Sequence, residues 1–205
     1  MNKIKLFLYF LAAGILTTLS SCEDPDLNPY VEPETAVHGL AAFATGSAKN
    51  YAVSDMATGV KFDLQWVSID SKNTVTKIEV FVNYSEKYID PEKNPRTANH
   101  GTKRVVLVEG SNVPANRKPT SFTITPQQVY DLFKDAQFDY GLGKVGVFSN
   151  PATPGRTAAA RFTTNDLYKI TWAFTTADGR YFDSWSDSVC LEFPGANCSQ
   201  SWGVK

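Results

Sequence analysis

The tightest constraint on the fold of this chain lies between Leu167 and Trp185, where two alternating runs meet around Asp178-Gly179. Side chains two apart along a strand point to the same side, so Tyr168, Ile170, Trp172 and Phe174 make one apolar stripe. An Asp-Gly pair between two such runs predicts a tight hairpin, because both positions tolerate positive φ. Val60–Trp66 repeats the pattern with Val60, Phe62, Leu64 and Trp66 on one side. Thr76–Tyr84 repeats it again with Ile78, Val80, Val82 and Tyr84 inward. Lys77, Glu79, Phe81 and Asn83 then face outward, which leaves Phe81 as an aromatic on the wet side. A core between two sheets is expected to form around Phe62, Trp66 and the Tyr168–Phe174 stripe.

From about residue 36 onward such segments follow one another, interrupted by Gly, Pro, Asn or Asp, which predicts an antiparallel sandwich or barrel. Aromatics at 13%, with 11 Pro and 13 Gly, fit a turn-rich β chain better than a helical bundle. Further strands are expected at Ala36–Thr45, Arg104–Glu109 and Ser121–Thr125. Residues Lys87–Gly101 are polar and contain Pro91 and Pro95, and they read as a long surface excursion. One helix of about ten residues is predicted after Thr125: Thr125 caps it, Pro126 takes the first helical position and Gln128 closes a capping box. Val129, Leu132, Phe133 and Ala136 share one of its faces.

Residues 1–21 read as an address. Lys3 and Lys5 precede the uncharged run Leu6–Leu16, and small polar residues lead to Cys22. At 11 residues the run is about half of the roughly 20 that span a bilayer as a helix, so a secretory signal is expected in place of an anchor helix. Leu19-Ser20-Ser21-Cys22 resembles a bacterial lipobox, which implies that Cys22 is acylated and begins the mature chain on a lipid bilayer. Glu23-Asp24-Pro25-Asp26 opens a Pro-broken acidic stretch, so residues 22–35 are expected to be an extended tether. That acidic cluster resembles the surface-export signal of Bacteroidota lipoproteins, and the resemblance implies an outer-membrane protein facing the medium. The domain proper is expected over 36–205.

With Cys22 lipidated, Cys190 and Cys198 are the remaining thiols, and they are expected to pair across the Pro194-Gly195 turn. Closing so short a loop stabilises a fold by roughly 2–3 kcal/mol on the chain-entropy model. A zinc site lacks further ligands. Lys and Arg number 20 against 21 Asp and Glu, so no chain-wide basic field exists and no nucleic-acid partner is expected.

Asn165-Asp166-Leu167-Tyr168-Lys169-Ile170, the turn Asp178-Gly179-Arg180-Tyr181-Phe182 and the helix before them resemble the immunoglobulin-like domains of Bacteroidota surface lipoproteins found with SusC/SusD-type glycan uptake systems. The resemblance covers about residues 36–190. It implies an all-β, immunoglobulin-like antiparallel β-sandwich with one short helix, tethered by lipid. It further implies a role in capturing a glycan or docking on a SusC/SusD-type transporter; the alternative is a structural or adhesion subunit of a surface complex with no small-molecule ligand.

Gly141-Leu-Gly-Lys-Val-Gly146 matches G-x-G-x-x-G but follows a helix and opens none, so a flexible loop is expected there and a dinucleotide cofactor is not. Only His38 and His100 are available for a catalytic triad, G-x-S-x-G is absent, and no catalytic residues, metal or cofactor are expected. Asp166, Asp178, Asp183 and Asp187 lie near the last hairpin, where turn and solvated-face roles account for them better than calcium. The candidate binding platform is Tyr181 and Trp185 on one face of the last strand with Asp183 between them, opposite Phe182. A sugar's apolar face stacks on an exposed ring while nearby polar groups take its hydroxyls. Trp202 is expected either to plug the segment around Cys198 or to be an exposed contact. Asp187-Ser188-Val189 fits an O-glycosylation pattern reported for exported Bacteroidota proteins, which places a sugar on Ser188.

Overall fold

Backbone pairing converts the alternating runs into antiparallel sheets. The computed structural model describes residues 36–183 and 198–205, and Thr35–Lys205 forms one unit by itself. One sheet holds β1 (Val37–Phe43), β2 (Val60–Ser68) and β5 (Thr120–Ile124) in the order β1-β2-β5. A larger sheet holds β3 (Val75–Ile89), β4 (Pro95–Glu109), β8 (Asp166–Thr176), β9 (Tyr181–Asp183) and β10 (Gln200–Gly203). Its order is β10-β8-β3-β4, and β9 also pairs with β8. All these pairings are antiparallel. A separate hairpin joins β6 (Gln137–Asp139) to β7 (Lys144–Gly146).

The inward residues of the two large sheets meet in one apolar core. Val60, Phe62, Leu64 and Trp66 supply one wall; Ile78, Val80, Val82, Tyr84, Tyr168, Ile170, Trp172 and Phe174 supply the other. Among the described residues the protein is therefore mainly β, with two antiparallel layers and one short α-helix, as the alternation predicts. Tyr84 stacks between Phe148 and Tyr168 at centroid distances of 5.4 and 5.2 Å, a geometry in which aromatic pairs add stabilisation beyond their buried area. Helix α1 (Pro126–Phe133) begins at Thr125 with both arms of the capping box in place. It buries Val129 and Phe133 against the core and is eight residues long, slightly shorter than expected. Trp202 is buried and packs on Tyr51 and Tyr168, so it plugs the core.

Three local expectations need correction. The surface excursion expected at Lys87–Gly101 is a strand pair: β3 runs on to Ile89, and Ile89 faces Pro95 at the start of β4. β4 is the sheet edge, where a proline at the first position leaves no ladder hydrogen bond unmade. The flexible loop expected at Gly141–Gly146 is the tip and second strand of the β6–β7 hairpin, with the Asp139 carboxylate accepting from the N–H groups of Gly141 and Gly143. The Asp-Gly hairpin exists, but only Gly179 of that pair takes positive φ, at 83°. Gly179 N–H donates to Thr176 O and Thr176 N–H to Arg180 O, so the loop has three residues with the glycine in the left-handed position.

Close approach explains Gly39 on β1. A Cβ there would stand 2.0 Å from Nε1 of Trp172, the largest fully buried side chain among the described residues. Gly39→Ala must displace the indole, and overpacking of this kind costs about 1–3 kcal/mol. Urea unfolding of the variant is expected to show a lowered midpoint together with altered near-ultraviolet circular dichroism; an unchanged midpoint would refute the contact.

β9 and β10 lie along the same edge of β8: Tyr181–Asp183 face Thr175–Ala173, and Gln200–Gly203 face Ile170–Leu167. Residues 184–197 connect them.

Candidate functional site

The outer face of the larger sheet carries a depression of about 580 Å³. Its floor is Phe81 on β3 and Thr171 on β8, which are paired neighbours. Next to them lies the row Thr102–Asn83–Lys169, contributed by β4, β3 and β8. Asn99 borders it on β4, and Tyr181 with Asp183 borders it on β9. Two register shifts in the β3–β4 pairing, between Val80 and Phe81 and between Asn83 and Ser85, flank these floor residues. Such irregularities bend a strand and re-aim its side chains.

The polar groups here are held in place. Asn83 Nδ2 donates to Asn99 Oδ1 at 3.0 Å, to Gly101 O at 3.1 Å and to Thr102 Oγ1 at 3.2 Å. Beside the depression, Glu79 accepts from Arg104 at 2.7 Å and pairs with Lys77 at 3.2 Å. Burial pushes the Glu79 carboxyl up, but these two cations outweigh it and hold it below the usual carboxylate range. Tyr181 is 52% exposed, and its phenol is pushed up by partial burial and then by the carboxylates of Glu79 and Asp183. Tyr181 and Asp183 are exposed while Phe182 between them is half-buried, so the two site candidates share one face. Trp185, Ser188, Cys190 and Cys22 lie outside the described residues. Cys198 is disulfide-bonded.

A second constellation, absent from the sequence reading as a unit, lies inside the protein. Glu86 on β3 and Asp166 on β8 are paired positions, and Arg156 bridges them at 2.7 and 2.5 Å. Glu86 also accepts from His100 Nε2 at 3.0 Å, from Thr153 Oγ1 at 2.6 Å and from the Tyr140 hydroxyl. Tyr84 donates to Asp166 at 3.0 Å, and the Thr163 N–H donates to it at 2.8 Å. Burial pushes the Glu86 carboxyl up, yet the His100 hydrogen bond, the Arg156 charge and the two hydroxyls outweigh it and keep Glu86 below its ordinary value. At Asp166 burial wins over the Arg156 charge and lifts the carboxyl. The side chains of Glu86, His100 and Arg156 are at most 1% exposed, so the cluster fastens the 140–165 segment across the sheet end and presents no group to a solute.

The sequence signal for this cluster was the inward phase itself. Continuing Ile78, Val80, Val82, Tyr84 by one step reaches Glu86, and stepping back from Tyr168 reaches Asp166. The turn or solvated role expected for Asp166 is therefore corrected to a buried ion pair. Asp178, by contrast, sits in its turn and bonds Thr176 and Arg180. Among the described residues no group of three or more His, Cys, Asp or Glu is placed to hold a metal ion, and no helix is long and apolar enough to cross a membrane.

No protein-family model and no curated protein matches the chain. Among solved structures it is similar to a β-glucosidase from Listeria innocua in complex with isofagomine, at 13% identity and a TM-score of 0.26. The likeness covers 73% of this chain and 16% of that one, so the chain spans well under a fifth of that protein. At that score it carries no conclusion about activity.

Proposed function

We propose that the protein is a non-catalytic accessory lipoprotein of the outer membrane that captures a glycan on the outer face of its larger sheet for a SusC/SusD-type transporter. The observation that carries this reading is the depression in which the rings of Phe81 and Tyr181 adjoin the fixed amide of Asn83, Lys169 and Asp183. Rings that stack on a sugar beside groups that pair with its hydroxyls are the chemistry such capture needs. Membrane attachment rests on Leu19–Cys22 and the acidic residues after it. An immunoglobulin-like domain is supported by the strand arrangement: β2 and β5 stand in one sheet as B and E do, and β3 and β8 in the other as C and F do.

Glycan-array binding by the wild type and by Tyr181→Ala tests the reading. The variant is expected to lose about tenfold in affinity, equivalent to about 1.4 kcal/mol, while Tyr181→Phe keeps most of it. Equal binding by wild type and Tyr181→Ala would remove this face from the proposal. Mass spectrometry of the mature amino terminus is expected to show diacylated or triacylated Cys22; an unmodified Met1 contradicts the anchor.

A further inference from the structure

We infer that the depression takes the interior of an uncharged linear glycan, several sugar units at once, and not a single terminal sugar. This inference rests on the glycan-capture reading above and deepens it. Its lining comes from four adjacent strands, running from Asn99 and Thr102 on β4 through Asn83 and Phe81 on β3 and Lys169 on β8 to Asp183 on β9. Three inter-strand steps make a track of about 14 Å, longer than one sugar ring.

The two margins of the track differ from the walls of a closed pocket. β4 is the sheet edge, and β9 lies on the opposite side of β8 from β3, so the track runs from one outer strand of the described sheet to the other. Phe81 stands near the middle of the track and Tyr181 at one margin. Stacking is thus offered at two separated points, which a polymer satisfies and a monosaccharide does not. Three acceptors, on Asn99, Gly101 and Thr102, surround the two amide hydrogens of Asn83, which fixes the amide and turns its Oδ1 away from them as an acceptor beside the floor.

Charge narrows the class of polymer. Among the described residues the depression is lined by one cationic side chain, Lys169, and one anionic side chain, Asp183. The nearby Arg104 and Lys77 are already paired with Glu79. A uronic-acid or sulfated chain would bring repeated negative charge to a lining whose own two charges cancel and whose neighbours Arg104, Lys77 and Glu79 leave a single net positive charge, too little to match it.

The test is a titration series with uncharged hexose and pentose oligomers, from monosaccharides to hexasaccharides in several linkages, with each tetrasaccharide also reduced at its end to the alditol. Oligogalacturonates of matched length serve as the acidic comparison. Tetrasaccharides of the bound linkage are expected to bind at least tenfold tighter than the monosaccharide. End reduction is expected to change affinity less than twofold, and the acidic oligomers are expected to bind more weakly. Thr102→Ala and Asp183→Ala, at opposite margins, are each expected to weaken tetrasaccharide binding, with circular dichroism confirming that both variants fold. A monosaccharide that binds as tightly as the tetrasaccharide, or affinity abolished by end reduction, overturns the chain-interior mode while leaving glycan capture on this face intact. Tighter binding of oligogalacturonate overturns the charge class alone. Binding of no sugar in the series overturns both this inference and the reading beneath it.

Discussion

Arg156→Ala is expected to destabilise the protein by about 3–5 kcal/mol, the range for a buried ion pair that loses one partner. The arginine is the cation between Glu86 and Asp166, and both carboxylates stay buried when it goes. Glu86 keeps His100, Thr153 and Tyr140, and Asp166 keeps Tyr84 and the Thr163 N–H, but the fixed positive charge that offset their desolvation is gone, which favours protonation. In the variant Asp166, already lifted by burial, therefore rises further, and Glu86 rises from its lowered position. A carboxyl raised in the folded state favours folding as pH falls, because the folded form takes up the proton first. The stability gap between wild type and Arg156→Ala is accordingly expected to be widest near neutral pH and to narrow toward pH 4. Urea unfolding at several pH values measures this directly; a gap below about 1 kcal/mol at pH 7 would show that the pairs contribute little. Glu86→Gln in the same background is expected to restore part of the loss, since it removes one of the two orphaned charges.

The second large effect is expected at Trp172. Its side chain is fully buried between the layers, and the indole occupies the space that Gly39 leaves open. Trp172→Ala removes that area from the core and leaves a cavity that the two sheets cannot close without shifting register, so a loss of about 3–5 kcal/mol is expected. Chemical unfolding is expected to show a large drop in midpoint with little change in slope. A loss near 1 kcal/mol would mean that the layers collapse onto the vacated volume. Phe174→Leu, a smaller deletion in the same stripe, serves as the graded comparison.

What was legible in the sequence followed from local periodicity. Val60, Phe62, Leu64 and Trp66 alternate without interruption, and every one of them is in the core. The Thr125–Gln128 capping box was equally readable, because its partners stand three residues apart. Two prolines misled the reading at residues 87–101: Pro91 lies in the turn between β3 and β4, and Pro95 opens an edge strand, which does not need its N–H. The buried ion cluster was hidden for a different reason. Glu86, His100, Arg156 and Asp166 are far apart in sequence, and only strand register and the 140–165 segment bring them together. Part of the candidate binding face was readable, since Tyr181 and Asp183 followed from alternation around Phe182 and Phe81 from the outward phase of β3. Asn83, Asn99 and Thr102 were not read as partners, because the bulged β3–β4 register that assembles them leaves no mark in the spacing.

The shared edge of β8 has a consequence for the spacing of its two partners. Asp183 sits opposite Ala173 and Gln200 opposite Ile170, three positions apart along one strand, or roughly 10 Å. A segment pinned at both ends to a completed border gains closure entropy cost slowly with length, about 0.6 kcal/mol for each doubling. The distance between those two ends is therefore set by the ladder of β8 and not by the chain that joins them.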